Sequence, residues 1–330
     1  MSDGVKQTNG LARWIERHWY RSPLFNIWLL PLQGLFWLAV TLRRFFYALL
    51  PPLSSAVPVI VVGNISVGGT GKTPLIIWLA NRAQEMNMRV GIVSRGYGGE
   101  TDNYPLEVRQ DTPASECGDE PKLLFERLGC PVVVDPQRKR AVDYLAGKVD
   151  LVLSDDGLQH YAMARVAELV VVDGERGFGN GWLLPIGPLR EPETRLDSVD
   201  RVIVNGKDFV LQPLAMINAI TAERMDLLTL ANEEVHAVAG IGHPERFFNT
   251  LRQLGLTPLE HPFADHHPFT ANDLAFDDNK PVVMTEKDWV KCRSFVTENC
   301  WYVPVDAVPD RSTRQALDTL LTTWGEKYHG

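Results

Sequence analysis

"GNISVGGTGKTP", residues 63–74, follows the apolar run "VPVIVV" at 57–62 and precedes "LIIWLANRAQEMN" at 75–87. A β-branched run without polar alternation reads as a strand buried on both faces, and therefore as part of a parallel sheet. After the loop, Leu75, Ile76, Leu79, Ala80 and Ala83 recur at helical spacing. Strand, glycine loop and helix together form the setting of a phosphate-binding loop, where backbone N–H groups and the helix dipole hold an anion. Pro74 falls in the first helical turn, where its missing N–H is harmless. The usual spacing, G-x-x-x-x-G-K-[ST], places a glycine where this chain has Ser66. Ser66 is compatible with the motif provided its φ stays negative. On this reading Ser66, Val67, Gly68, Gly69, Thr70, Gly71, Lys72 and Thr73 bind ATP, with Lys72 on the β- and γ-phosphates and Thr73 on Mg²⁺. No G-x-G-x-x-G follows the strand, so a dinucleotide fingerprint is absent.

The rest of the chain repeats the same alternation. "RVGIVSRGYGG", "CPVVVD", "VDLVLSDDG", "AELVVVDG" and "DRVIVNG" are short apolar strands. "GDEPKLLFERLG" starts a helix, with Pro121 in its first turn and Gly129 past its end. The expected fold is α/β: a P-loop, doubly wound, mostly parallel sheet over residues 51–215. The pattern then restarts with "EVHAVAGIGHPERFFNTLRQLG", "KPVVMTEKDWVK", "CWYVPVD" and a final helix. This predicts a second, smaller α/β domain over 216–330. Asp155 and Asp156 end a buried strand at the ligand edge of the sheet, where a carboxylate holds Mg²⁺. Gln159 and His160, just after them, are candidates to orient phosphate or metal, or are simply polar residues of a helix start. "SRGYGG" at 94–99 reads as a second anion loop with Arg95 near a phosphate, or as a tight turn. "TEKD" at 285–288 lacks the spacing of a guanine-reading N-K-x-D, and its role stays open.

Composition limits the alternatives. The 330 residues are 45% hydrophobic and 22% charged, with a net charge of −8. That charge argues against wrapping a nucleic acid. It is unevenly spread, since residues 1–50 carry a net +4 (Lys6, Arg13, Arg17, Arg21, Arg43 and Arg44 against Asp3 and Glu16) and the remainder −12. Residues 22–42 contain no formal charge and are long enough, as a helix at about 1.5 Å per residue, to match a bilayer core. Arginines and Trp14, Trp19, Tyr20, Phe45, Phe46 and Tyr47 bracket them, as at a membrane interface. Asn26, Pro31 and Gln33-Gly34 count against a simple span, Pro31 as a kink. An element lying in one leaflet therefore competes with a full span. The expected head, residues 1–50, is a membrane-associating helical segment. Cys117, Cys130, Cys292 and Cys300 show no zinc spacing and read as reduced structural thiols.

The motifs, taken in order, resemble one family. "VVGNISVGGTGKTP", "VSRGYGG", "GDEP", "DDGLQH", "GNGWLLPIGPLREP", "AGIGHPERFF", "ADHHPF" and "TEKD" are similar to those of the tetraacyldisaccharide 4′-kinases, over almost the whole chain. That family also lacks the first loop glycine. The resemblance implies transfer of the ATP γ-phosphate to the 4′-hydroxyl of a tetraacyldisaccharide 1-phosphate, giving lipid IVA at the cytoplasmic face of the inner membrane. It implies Asp119 as the base and His266 as its helper, with Arg190 at the transition state and Glu191 on Mg²⁺. Read from residues alone, Asp119 is as readily a helix N-cap. His266 is then a loop histidine beside His267, and which ring acts stays open. Two rival classes remain: a membrane-attached P-loop ATPase acting on a partner protein, and a soluble small-molecule kinase. The motifs around Asp119 and His266 are the obstacle to the first.

Overall fold

The run Val59–Gly63 is buried at every position. Ile60 and Val62 join the core on one face of the sheet, Val59 and Val61 the core on the other. A strand covered on both faces has no place for polar alternation. The computed structural model describes residues 14–15, 17–20, 22–52, 54–226 and 233–329. Asp3, Lys6, Arg13, Glu16 and Arg21 of the expected basic head lie outside the described residues.

In chain order the strands are β1 (Val59–Gly63), β2 (Val90–Ser94), β3 (Leu106–Glu107), β4 (Val132–Val134), β5 (Leu151–Asp155), β6 (Ala167–Asp173), β7 (Arg201–Asn205) and β8 (Phe209–Pro213). They continue as β9 (Met216–Asn218), β10 (Arg224–Met225), β11 (Glu234–Ala239), β12 (Thr257–Pro262), β13 (Val282–Thr285), β14 (Cys300–Val303) and β15 (Val305–Pro309). The α-helices are α1 (Leu30–Leu49), α2 (Lys72–Glu85), α3 (Ala114–Cys117), α4 (Asp119–Leu128), α5 (Arg138–Leu145), α6 (Pro244–Gln253), α7 (Glu286–Cys292) and α8 (Arg311–His329).

The larger sheet has the order β15-β8-β7-β6-β1-β5-β2-β4-β3. Strands β7, β6, β1, β5, β2 and β4 pair in parallel, and β3 and β15 are antiparallel edges. Leu75, Leu79, Leu124, Leu317 and Leu321, from α2, α4 and α8, pack on one face. Ala141, Val142 and Leu145 of α5 pack on the other. The smaller sheet has the order β10-β9-β14-β13-β11-β12, with β11, β12, β13 and β14 parallel. Phe247, Phe248 and Leu251 of α6 cover one side of it.

"CWYVPVD", expected as one strand, is two. Strand β14 belongs to the smaller sheet, and β15 pairs with β8 in the larger one. The break falls at Pro304, whose ring removes the N–H a continuing ladder would use. Everything from residue 305 onward was expected in the smaller unit, but β15 and α8 belong with the larger sheet, where Ala307, Leu317 and Leu321 are core residues.

The head also departs from its expectation. A 3-10 helix, Pro23–Leu29, leads into α1, and Pro31 lies in the first turn of α1. Proline there starts a helix instead of kinking it. Together Pro23–Leu49 form a helical stretch of mean hydropathy 1.5, long and apolar enough to cross a membrane. No residue of α1 is buried. Its half-buried positions, Gln33, Phe36, Val40, Arg44 and Tyr47, recur every three or four residues and form the stripe facing the body. Phe36 packs on the larger sheet's core, and the Tyr47 ring centroid is 6.0 Å from that of Tyr161. Leu24, Leu35, Leu42, Phe45 and Leu49 are exposed. Asn26 is fully buried, and its Nδ2 donates to Ile15 O and Ile186 O, both at 3.2 Å. Trp19 Nε1 donates to Pro185 O at 3.0 Å. The polar residue that counts against a membrane span is therefore the bolt of the head onto the body.

Asn26→Ala should weaken that docking by about 1–3 kcal/mol, the usual result of stranding buried carbonyls. The expected readout is faster proteolysis before residue 50 with the melting of the body unchanged; identical proteolysis of the two proteins would refute the role given to Asn26.

Candidate active site

Parallel strands present their carboxyl ends at one edge of a sheet, where ligands bind. At that edge β1 delivers the glycine loop. Gly68 and Gly71 have φ of 108° and 94°, a region that side chains avoid. Ser66 is not among the positive-φ residues. It forms an isolated antiparallel bridge with Leu189, flanked by Val67 N to Pro188 O at 2.8 Å and Arg190 N to Ile65 O at 2.6 Å. The first motif position is thus extended backbone paired with another segment, a conformation that needs no glycine. Asn64 Nδ2 donates to Gly68 O and Asn205 Nδ2 to Thr70 O, each at 3.3 Å, and these bonds fix the loop from both sides.

Strand β5 delivers Asp155 and Asp156. Lys72 Nζ is 3.5 Å from Asp156 Oδ1, and Arg190 NH1 donates to Asp156 Oδ2 at 2.7 Å. Asp156 adopts a left-handed φ of 48°, one of four non-glycine residues to do so among the described residues. Burial alone would raise its pKa, but Lys72 and Arg190 outweigh burial and hold the carboxyl well below the usual range. Burial and the neighbouring charges of Glu120 and Asp156 push Asp155 the other way, above the carboxylate range. Ser94 Oγ donates to Asp155 Oδ2 at 3.1 Å. The buried Arg138 donates to the main-chain carbonyls of both aspartates. Asp155 Oδ1 and Asp156 Oδ1 are buried and accept no hydrogen bond. Two carboxylate oxygens without a hydrogen bond, one of them facing Lys72, suit a hard cation. Among the described residues no three His, Cys, Asp or Glu converge as a complete metal site. A cation here would need phosphate or water oxygens as well, the habit of Mg²⁺.

Glu191 is buried and bonded at both oxygens. Gln159 Nε2 donates to its Oε1 at 2.8 Å, Tyr161 OH donates to its Oε2, and Arg195 Nε lies 3.4 Å from Oε2. The carboxylate thereby anchors Gln159, whose Nε2 also reaches Asn64 O at 3.1 Å. Burial pushes the His160 imidazole down to about 4, helped by Arg138, Arg165, Arg43 and Arg95.

Asp119 opens α4. The N-cap position is Gly118, with φ 94°, and no side chain caps this helix, so Asp119 is not the N-cap. A Cβ on Gly118 would stand 2.7 Å from Tyr97 O, which places the "SRGYGG" loop hard against the start of α4. His266 Nδ1 is 2.9 Å from Asp119 Oδ2. His266 has φ 57° and its ring meets Tyr97 edge-on at 5.2 Å. His267 turns away to Asp273, at 3.4 Å, and to Phe263 and Phe269. Of the two histidines, only His266 meets Asp119. A pair formed across two sheets, with strained backbone at one member, is a mark of function more than of stability. The start of α4 packs against the loop that follows β2, and the glycine loop follows β1, so both lie at the carboxyl edge of the larger sheet.

"TEKD" acquires a structural role. Thr285 caps α7, Asp288 accepts from Gly240 N at 2.9 Å, and Glu286 pairs with Arg127 at 2.9 Å. Lys287 pairs with Glu120 and Asp265. Lys291, one turn on, is 2.6 Å from Asp288 and 3.9 Å from Asp119. The sequence singled out neither Lys291, Arg138 nor Tyr161, and Ser94 only as the start of the "SRGYGG" loop; the helical spacing of Asp288 and Lys291 offered a signal for Lys291. All four cysteines are free and buried, and burial pushes Cys117, Cys130 and Cys292 up to about 12.

Comparison with known proteins adds the following. The family model "LpxK: Tetraacyldisaccharide-1-P 4'-kinase" matches residues 25–322. A tetraacyldisaccharide 4'-kinase of Methylobacillus flagellatus is 46% identical over 96% of this chain and 98% of that relative. One of Pseudomonas putida is 49% identical over 92% of this chain and 95% of that relative. A crystal structure of "apo" form LpxK from Aquifex aeolicus in complex with ATP has a TM-score of 0.78 and 26% identity, over 90% of this chain and 98% of that one.

The depressed His160 gives a check on the electrostatics. It should stay neutral down to about pH 4, so its contribution to stability is lost only as pH falls below the unfolded value of 6.5. An NMR titration of its ring should place the midpoint near 4; a midpoint near 6.5 would show that neither burial nor the surrounding arginines act on it.

Proposed function

This chain belongs to the tetraacyldisaccharide-1-P 4'-kinase family, and we propose from that premise that it transfers the γ-phosphate of ATP to the 4′-hydroxyl of a tetraacyldisaccharide 1-phosphate. The product is lipid IVA, in lipid A biosynthesis. The observation that carries the chemistry is the 2.9 Å contact between Asp119 and His266, at the edge where the phosphate loop lies.

A sugar hydroxyl is a poor nucleophile at neutral pH and needs a base within reach. Asp119 takes the hydroxyl proton as the 4′-oxygen attacks the γ-phosphorus. The new oxygen–phosphorus bond forms, the bond to the β,γ-bridging oxygen breaks, and ADP leaves. His266 holds Asp119 in position and passes the proton on. Backbone amides of residues 66–73 cradle the phosphates, and Lys72 draws charge from them. Thr73, Asp155 and Asp156 would hold Mg²⁺, and bound Mg²⁺ supplies charge neutralisation at the β- and γ-phosphates. Glu191 acts through Gln159, and Arg190 keeps Asp156 in place. Asp119, at the start of α4, and His266, in the loop after β12, already meet at 2.9 Å, so the base is in place before the acceptor binds.

The exposed apolar face of α1 supports contact with a lipid surface. A tetraacylated acceptor and cytosolic ATP meet at the cytoplasmic face of the inner membrane, so the head is placed there, with acyl chains directed along α1.

The test is transfer of labelled γ-phosphate from ATP to a tetraacyldisaccharide 1-phosphate in detergent. Asp119→Ala should lower kcat by about 100-fold or more while ATP affinity is kept. An Asp119→Ala protein with full turnover would remove the assigned base. Chelating divalent cations with EDTA should abolish transfer, and restored Mg²⁺ should return it.

A further inference from the structure

Arg176 belongs to the loop after β6, at the same sheet edge as the glycine loop. Its NH1 lies 3.1 Å from where a Cβ on Gly68 would stand. The guanidinium therefore abuts the apex of the phosphate loop, and glycine at 68 leaves it room. Its turn is firmly built. Asp173 Oδ1 accepts from Glu175 N at 3.1 Å and Arg176 N at 3.3 Å, and Gly177 N donates to Asp173 O at 2.7 Å. Arg246, from the helix of the "HPERFF" motif, grips the other Asp173 oxygen at 2.9 Å and Glu175 at 2.6 Å. Glu175, the carboxylate nearest in sequence, is thereby taken. Among the described residues, Arg176 has no carboxylate within ion-pair distance. Its guanidinium carbon instead sits 4.6 Å from the ring centroid of Tyr20, in the head. A cavity of about 380 Å³ lies alongside, lined by Tyr20, Glu175, Arg176, Gly179 and His243.

A guanidinium with no anionic partner among the described residues, held at the phosphate loop by residues from two other parts of the chain, has one evident ligand chemistry: phosphoryl oxygen. We infer that Arg176 is a catalytic residue that contacts the transferring γ-phosphoryl group, and that Tyr20 is its positioning residue. The inference rests on the phosphotransfer reading above and extends it. P-loop enzymes commonly supply such an arginine, in cis or from a partner, to stabilise charge on the transferring group. Arg190 is less suited to that role, since it is committed to Asp156 at 2.7 Å. The cation–π contact makes the arginine's position depend on the docked head, so seating of the head and turnover are coupled.

The test uses the full chain in detergent. Arg176→Ala should reduce kcat by about 100-fold or more. It should weaken ATP binding by about 10-fold, with ADP and AMP affected much less, because only ATP carries the γ-phosphate. Arg176→Lys should recover ATP affinity more than kcat, since an ammonium lacks the planar fork. Tyr20→Ala should lower kcat in the same direction, and Tyr20→Phe, which keeps the ring, should restore it. Equal losses for ATP, ADP and AMP together with a lowered Tm would mean a structural arginine and overturn the inference. So would an Arg176→Ala kcat close to that of the parent protein. If the parent protein transfers nothing to the lipid, the phosphotransfer reading fails, while the ATP-against-ADP comparison still decides what Arg176 touches.

Discussion

The main-chain bridge between residues 65–67 and 188–190 holds the functional half of this molecule together. Two short hydrogen bonds, Val67 N to Pro188 O and Arg190 N to Ile65 O, pair the rising limb of the phosphate loop with a segment more than a hundred residues away. That segment also receives Trp19 at Pro185 and Asn26 at Ile186, and it ends in Arg190 and Glu191. Head, phosphate loop and carboxylates thus hang from one stretch of backbone. Each such bond is worth only about 0.5–1.5 kcal/mol net, but leaving a buried partner unmade costs about 1–3 kcal/mol. The asymmetry makes the arrangement all-or-none: a shift in the 178–191 stretch cannot loosen one attachment and keep the others.

The second constraint is charge. An acidic body keeps two adjacent aspartates at its ligand edge, one depressed by Lys72 and Arg190 and the other raised by burial. Environments that separate neighbouring carboxylates are the usual means of giving two like groups unlike tasks. Arg138, almost wholly buried beneath them, donates to their carbonyls and leaves each Oδ1 without a hydrogen bond. Interior charges of this kind matter more than surface ones. Removing one partner of a buried pair costs about 3–5 kcal/mol, whereas an exposed i,i+4 pair such as Lys139–Asp143 contributes about 0.3–0.5 kcal/mol.

Much of this was legible in the residues. The long apolar strands β1, β2, β5, β6 and β7 announce themselves because burial on both faces removes polar residues, and the glycine loop follows directly from strand and helix periodicity. The strands that escaped notice, β3, β8, β9, β10 and β12, are short or alternate with exposed positions, and edge strands carry weak patterns. Pro304 looked like a residue within a strand, and only the pairing shows it dividing two sheets. Asp119 and His266 are 147 positions apart, so no local spacing could join them; the resemblance named them, and the geometry puts 2.9 Å between them. Asp119 also looked like a cap because an acidic residue before Glu-Pro is where caps occur, while the actual cap, Gly118, is set by its contact with the Tyr97 carbonyl. Arg138, Tyr161 and Arg176 left no trace in the sequence, since a single arginine or tyrosine outside a motif becomes informative only once its neighbours are known.

The return of the chain at Pro304 bears on how the protein comes into being. A ribosome releases the head first, then β1 and the glycine loop, then the smaller sheet. The edge strand β15 and the helix α8, which carries Leu317 and Leu321 into the core beside α2, emerge last. Until then one edge of the larger sheet is unpaired and one face of α2 is bare. The apolar head is therefore complete while the sheet that carries the glycine loop is still unfinished. Order of synthesis thus places the head before the completed nucleotide site, and a chain cut short near its end would carry the head without a closed larger sheet.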